Sequence, residues 1–437
     1  MTDSHSLETV LTAIDDSADD LVAFLGEYVR FQSVNPDMKL DGELTELRAC
    51  QEWLVGLLRE WRAFTNVDLL AADVEQPNVV ARCRGSATGP TALFIGHSDV
   101  VPVTAEQAAA WSAATPWAGT VKDGRLWGRG AADMKGGNAA FLWAIKTISD
   151  QGIELKGDVM VALVSGEESG NHRIGVDFVR AGGYEADFGI IAEPTNLEIC
   201  PATVGEFYFL IRVQGRSAHL GSRHLAIHPS SFETEVSGVN AIDKMWKIQR
   251  ALTELEREWG LWQKHPLMAP GAMNINLSAI HASGTFSALA GTCELVGSVL
   301  FNPSLTYAEV KREVLEAIES VAGTDYWLRD HPPEVIVPYI LDQKEAVDLP
   351  RDHPGCRILE DAYRCTFERE PVVACSTATT DGAYVAAAGQ KVLTCGPGTP
   401  DSGAHGVDEH IDIEQVIDAA KLYAAFAIKW CGQATGE

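Results

Sequence analysis

Apolar residues near the start of the chain recur at helical spacing. Leu21, Val22, Phe24, Leu25, Tyr28 and Val29 keep that period until Ser33-Val34-Asn35-Pro36 interrupts it, and a second amphipathic stretch covers residues 50–61. The texture then changes to short apolar runs that each close in a polar or glycine-rich loop, at residues 78–81, 91–95, 159–164, 188–192 and, far downstream, 391–395. Such continuous apolar runs are the signature of strands buried on both faces. A helical pattern at residues 137–148 lies among them. Buried strands alternating with helices predict an α/β domain with a mostly parallel central sheet.

Residues 201–341 follow a different pattern. An aromatic-rich strand at 206–213 is followed by a long polar helix at 239–259, two further strands, and a helix at 307–321. This β-α-β-β-α-β order predicts a small α+β, ferredoxin-like domain inserted into the first. Residues 1–200 and 342–437 would then form the catalytic domain, a division that suits a chain of 437 residues, too long for one ordinary core.

Composition narrows the partners. Asp and Glu total 61 against 34 Lys and Arg, a formal net charge of −27. That field repels nucleic acid and anionic membrane surfaces, so a small-molecule substrate is expected instead. The nine cysteines are scattered with no Cys-x-x-Cys pair, which points to free thiols in a reducing compartment. The opening MTDSHSLETV has no basic and apolar leader pattern, and no apolar run approaches the ~18 residues of a membrane span. The expected location is the cytoplasm.

Several strand ends finish in potential metal ligands or run into a loop that holds one, and in open α/β sheets ligands bind beyond the carboxyl ends of the strands. In Gly96-His97-Ser98-Asp99, residues two apart share a face, so His97 can bind a metal while Asp99 accepts its other ring N–H. Asp133 lies between glycines at a helix entrance, as either a simple N-cap or a metal-bridging carboxylate. Glu167 and Glu168 follow an apolar strand. They are either exposed loop charges or a divided pair, one on metal and one facing a bound water. Glu193 closes another strand, and the loop from Cys395 brings a second histidine, His405. Each signal alone is weak. Together they supply two histidines and several carboxylates, which a two-metal site needs.

In this order and spacing the motifs resemble the acetylornithine deacetylase / succinyl-diaminopimelate desuccinylase / carboxypeptidase G superfamily of dinuclear aminoacylases and metallopeptidases, over nearly the whole chain. The tail from Gly396 to Glu409 fits as well. The resemblance implies a zinc-peptidase-like catalytic domain with Asp133 bridging two cations, His97 and Glu193 completing one, and Glu168 and His405 the other. Zinc, manganese and cobalt all suit these ligands. Glu167 would be the general base, taking a proton from metal-activated water and returning it to the leaving nitrogen. Asp99 would orient His97. The inserted domain would be a lid and the site of homodimerisation. There Gly215-Arg216-Ser217-Ala218-His219 is similar to an element whose histidine, in relatives, reaches the partner's site and offsets oxyanion charge; a capped loop histidine is the alternative. Asn276, Gly396 and Gly398 are candidate substrate contacts.

Two departures bear on the substrate. Many relatives carry Arg-x-x-Pro-Gly in the lid to grip a substrate carboxylate, whereas this chain reads Val299-Leu300-Phe301-Asn302-Pro303-Ser304. Where relatives often have Ile-x-Gly-Gly it has Ile280-His281-Ala282-Ser283-Gly284, with His281 read as structural. Arg223, His224 and His228 read as exposed loop residues. The first expectation is deacylation of an N-acyl amino acid. The alternatives are deformylation of an N-formyl heterocyclic amine or hydrolytic deamination of an aromatic amine, and, more distantly, a non-catalytic binding protein, which would predict damaged ligands.

Overall fold

The computed structural model describes residues 2–86, 88–224, 238–340 and 343–433. The chain divides into two compact units, one of Met1–Ala202, Val347–Ser376 and Thr380–Glu437, the other of Thr203–Ala346 with Thr377–Thr379.

The first unit is built on a sheet whose strand path among the described residues is Asn66–Leu70, Asn78–Cys83, Val159–Val164, Ala92–His97, Phe188–Ile191, Val392–Thr394, Ile199–Thr203 and Val347–Asp348; Val373–Ser376 pairs beside Ile199–Thr203. Val159–Val164, Ala92–His97, Phe188–Ile191 and Val392–Thr394 run parallel at its centre. The flanking strands Asn66–Leu70 and Asn78–Cys83 are antiparallel, a mixed edge on a mostly parallel sheet. Every residue of the four central strands is buried. Their alternation still assigns faces. Ala92 and Phe94 point into the larger core with Phe141, Tyr423 and Phe426, while Leu93 and Ile95 point into a smaller one with Val176, Val179 and Val385.

The helices Gly136–Asp150 and Ile413–Cys431 cover the larger face. The second of these is mostly apolar, with twelve of its nineteen residues buried and Glu414, Asp418 and Lys421 on its less buried side. Short strands at Thr120–Lys122, Arg125–Trp127 and His410–Asp412 form a separate small sheet, too brief for any period to show in sequence.

In the second unit the strands order as Asn274–Ala282, Thr292–Phe301, Gly205–Gln214 and Glu334–Ile336, all antiparallel. The helices Ala241–Trp262 and Tyr307–Thr324 complete a β-α-β-β-α-β order. Phe207, Phe209, Ile211 and Val213, every second residue of one strand, pack with Ile248, Leu252, Val310, Val314 and Ile318 from these helices. Thr306 and Glu309 close a capping box at the start of Tyr307–Thr324.

Candidate dinuclear metal centre

The four parallel strands of the first unit deliver the site. His97 ends one of them, Glu167 and Glu168 follow Val159–Val164 after two residues, Glu193 follows Phe188–Ile191 after one, and the loop after Val392–Thr394 carries His405. Asp133 sits in a tight turn, Ala131–Lys135, that leads into helix Gly136–Asp150.

Asp133 stands between the two histidines with one oxygen toward each. Its Oδ1 is 3.1 Å from His97 Nε2 and its Oδ2 is 3.2 Å from His405 Nε2. Glu193 Oε1 approaches His97 Nε2 at 3.4 Å, and Glu168 Oε2 approaches His405 Nε2 at 3.1 Å. Two groups therefore share one carboxylate: His97, Glu193 and Asp133, and His405, Glu168 and Asp133. Ligand atoms of His97, Asp133 and Glu168 lie within 4.8 Å of one another, as do those of His97, Glu167 and Glu193.

The electrostatics describe a cluster short of positive charge. Burial, then the Asp133 charge, pushes the Glu168 carboxyl up to about 7 and that of Glu193 up to about 8. Burial also opposes ionisation of Asp133, but hydrogen bonds from His405 and His97 outweigh it and hold that carboxyl far below its usual range. Hydrogen bonds to Asp133 and Glu168 raise His405 to about 11. Burial disfavours a charged His97, yet Glu193 and Asp133 win and its pKa rises well above the ordinary imidazole value. Buried carboxylates in mutual contact are stabilised when cations stand between them. This donor set, with a carboxylate presenting one oxygen to each histidine, fits two divalent ions.

One expectation is corrected. The Asp99 carboxylate does not take the second ring nitrogen of His97, its Oδ1 being 3.9 Å away. The backbone carbonyl of Asp99 accepts from Nδ1 instead, at 2.8 Å. That bond places the proton on Nδ1 and leaves Nε2 free to ligate. The Asp99 carboxylate, fully buried, accepts from Asn35 Nδ2 at 2.8 Å and from the Glu168 backbone N–H at 3.2 Å, joining the His97 and Glu168 loops.

Other supports were not read from sequence. Asn138 Nδ2 donates to the His97 carbonyl at 2.7 Å. Glu409 accepts from the Ala132 and Asp133 amides and pairs with Arg129. Asn35 lies in the helix-breaking Ser33–Pro36 stretch and Arg129 between two glycines, which were the available signals. Gly396 and Gly398, candidate substrate contacts, pack on the strand end that carries Glu193. A Cβ at Gly396, or at Gly137 across from it, would collide with the Ala192 carbonyl oxygen. Gly398 has φ +103° and its carbonyl accepts from Asn196 N.

In the second unit, His219 is exposed and caps the turn Leu220–Ser222, its Nδ1 accepting from Gly221 N at 3.2 Å. Asn276 and His281 are exposed on strand Asn274–Ala282. Arg223 pairs with Asp243 at 2.9 Å and His224 Nδ1 bonds to the Gly221 carbonyl. His228 lies outside the described residues. Among the described residues no helix is long and apolar enough to cross a membrane.

Peptidase family M20/M25/M40 matches residues 93–429. An N-formyl-4-amino-5-aminomethyl-2-methylpyrimidine deformylase of Bacillus subtilis (strain 168) is 30% identical over 430 residues, covering 96% of each chain. A succinyl-diaminopimelate desuccinylase of Azoarcus sp. (strain BH72) is 29% identical over 356 residues, covering 79% of this chain and 84% of the other. Human carnosine dipeptidase 1 has the same fold, with a TM-score of 0.72 at 19% identity over 97% of this chain and 98% of that one. So does a dinuclear metal-binding M20 peptidase of Bacillus subtilis, with a TM-score of 0.63 at 14% identity over 95% of this chain and 98% of that one. With these matches and a cluster of histidines and carboxylates at its strand ends, the chain belongs to peptidase family M20/M25/M40 and is a metallohydrolase acting on C–N bonds.

Proposed function

We propose that this enzyme removes the formyl group from an N-formylated aminomethyl heterocycle of the pyrimidine type, releasing formate and the free primary amine. The carrying observation is the similarity to two deformylases, each 30% identical over 96% and 97% of this chain, where the desuccinylases that match over a comparable length are 27% and 25% identical. The lid segment supports it. Asn302 is buried and spends its Oδ1 on the Ser304 amide at 2.8 Å, and residues 299–304 offer no guanidinium. A formamide of this kind has no carboxylate to grip.

His97, Glu193 and Asp133 would hold one divalent cation, and His405, Glu168 and Asp133 the other; zinc, manganese or cobalt suits these donors. When bound, the two ions supply Lewis acidity that polarises the amide carbonyl and lowers the pKa of water. Glu167 takes a proton from the attacking water as its oxygen bonds to the formyl carbon. It then delivers that proton to the nitrogen as the C–N bond breaks, so one water is consumed and formate and amine leave. His219 is read as reaching the partner protomer's site and donating to the developing oxyanion there. Its Nδ1 accepts from Gly221 N, which puts the ring proton on Nε2, the nitrogen left to donate. A homodimer through the second unit belongs to the same reading, supported by the exposed Ile280 on strand Asn274–Ala282 and the exposed Phe286 after it.

The test is a mass-spectrometric turnover screen on enzyme loaded separately with zinc, manganese and cobalt, with Glu167→Gln as blank. Formate release from N-formyl aminomethylpyrimidines, with N-acetyl and N-succinyl amino acids left intact, is the expected result. Amino-acid release in preference to formate would return the enzyme to the deacylase branch, and full turnover by Glu167→Gln would remove Glu167 as base.

A further inference from the structure

We infer that Arg129 and Glu409 are a positioning pair that sets His405 against Asp133 and so governs occupancy of the cation site these two share. The inference rests on Asp133 and His405 being ligands.

The two residues lie 280 positions apart in sequence, yet their side chains pair with 1% exposure each. A buried ion pair is a poor source of stability, since desolvation consumes most of the Coulombic gain, so its value is sought in what it holds. Glu409 holds Asp133. Its Oε1 accepts from the Ala132 amide at 3.1 Å and the Asp133 amide at 3.2 Å. These belong to the opening turn Ala131–Lys135, where amides lack partners within the turn. The backbone that projects the shared carboxylate is thereby pinned from Glu409.

Arg129 holds the other side. While one arm meets Glu409, its Nη2 donates to the Gly406 carbonyl at 2.9 Å, one residue beyond His405. The His405 side chain is 56% exposed whereas that of His97 is 1% exposed, so packing locks His97 and leaves His405 dependent on its loop. Another tether on that loop, from Gln107 Nε2 to the His405 carbonyl, is long at 3.5 Å. A planar guanidinium can reach a carboxylate and a carbonyl at once, which a lysine ammonium on a flexible stem does not reproduce. The His97 side has separate supports in Asn138 and the Asp99 carbonyl. Disturbing the pair should therefore affect the two cation sites unequally.

Metal-free full-length protein is titrated with Mn²⁺ by calorimetry, and bound ions are counted by native mass spectrometry. The variants are Arg129→Lys, Glu409→Gln and the double variant Arg129→Met/Glu409→Met, with Asp133→Asn and His405→Ala as ligand controls. The double variant replaces the buried pair with apolar side chains, a change cores commonly accept, and so reports even where a single variant fails to fold. One of the two binding steps should weaken about 10- to 100-fold, the range for losing a group that orients a ligand, with the other step, which shares Asp133 but keeps the separate supports of His97, falling less. Wild-type affinity at both steps, or an equal fall at both, would overturn the inference. Two intact steps in the ligand controls would instead refute the assignment of Asp133 and His405 as ligands.

Discussion

The shared carboxylate gives the sharpest prediction. Asp133 presents Oδ1 to the His97 side and Oδ2 to the His405 side, at 3.1 and 3.2 Å. Asp133→Asn keeps shape and volume but turns one oxygen into an NH₂ group that cannot ligate, so only one side retains its donor. Native mass spectrometry should then count one tightly held ion in place of two. If that ion contributes what a single preorganised electrostatic group typically does, about 3–4 kcal/mol, kcat should fall roughly 10²- to 10³-fold. Asp133→Glu keeps both oxygens but moves them by about one methylene; two ions should remain, with kcat reduced on the order of 10²-fold, as small misplacements of reacting groups do. Measuring ion count and kcat on the same samples separates the cases. Two tightly bound ions with near wild-type kcat in Asp133→Asn would refute the idea that this carboxylate is shared.

Further outcomes follow from the same geometry. Gly396→Ala drives a methyl group into the Ala192 carbonyl beside Glu193; it should destabilise by about 1–3 kcal/mol, the usual range for overpacking, and weaken metal uptake, read by thermal unfolding and Mn²⁺ titration. In metal-free protein Glu168 and Glu193 keep protons up to about 7 and about 8, against 4.5 when unperturbed. The folded state thus binds the extra protons, and its stability should fall as pH rises from about 5 to 8. His405, raised to about 11, acts in the same direction above its ordinary 6.5. A metal-free unfolding midpoint that climbs with pH through this window would contradict the described cluster. Ile280→Lys with Phe286→Ser should shift the protein from dimer to monomer in light scattering; an unchanged mass would rule out that surface as the interface.

The sequence alone determined which residue types stand at the ends of the buried strands. A strand covered on both faces must be apolar throughout, so its end is visible where the run stops, and His97, Glu167, Glu168 and Glu193 stand at or just beyond such stops. The β-α-β-β-α-β order of the second unit was legible for a similar reason, since residues 206–213 and 307–321 each carry their own period. From Leu422 to Ile428 the helix Ile413–Cys431 is buried at every residue, and such a continuous apolar run does not by itself tell helix from strand.

Tertiary structure decided what faces what. That each oxygen of Asp133 meets a different histidine, and that the Asp99 carbonyl rather than its carboxylate orients His97, depends on how loops far apart in sequence are set side by side. Arg129 and Glu409 show the same limit. An arginine between glycines and a glutamate in a distant tail carry no local mark of each other, and they meet because His410–Asp412 pairs antiparallel with Arg125–Trp127, with the Gly128 amide donating to the Glu409 carbonyl beside them. Local sequence encodes the direction and burial of a side chain; the distance between two such side chains is a property of the packed whole.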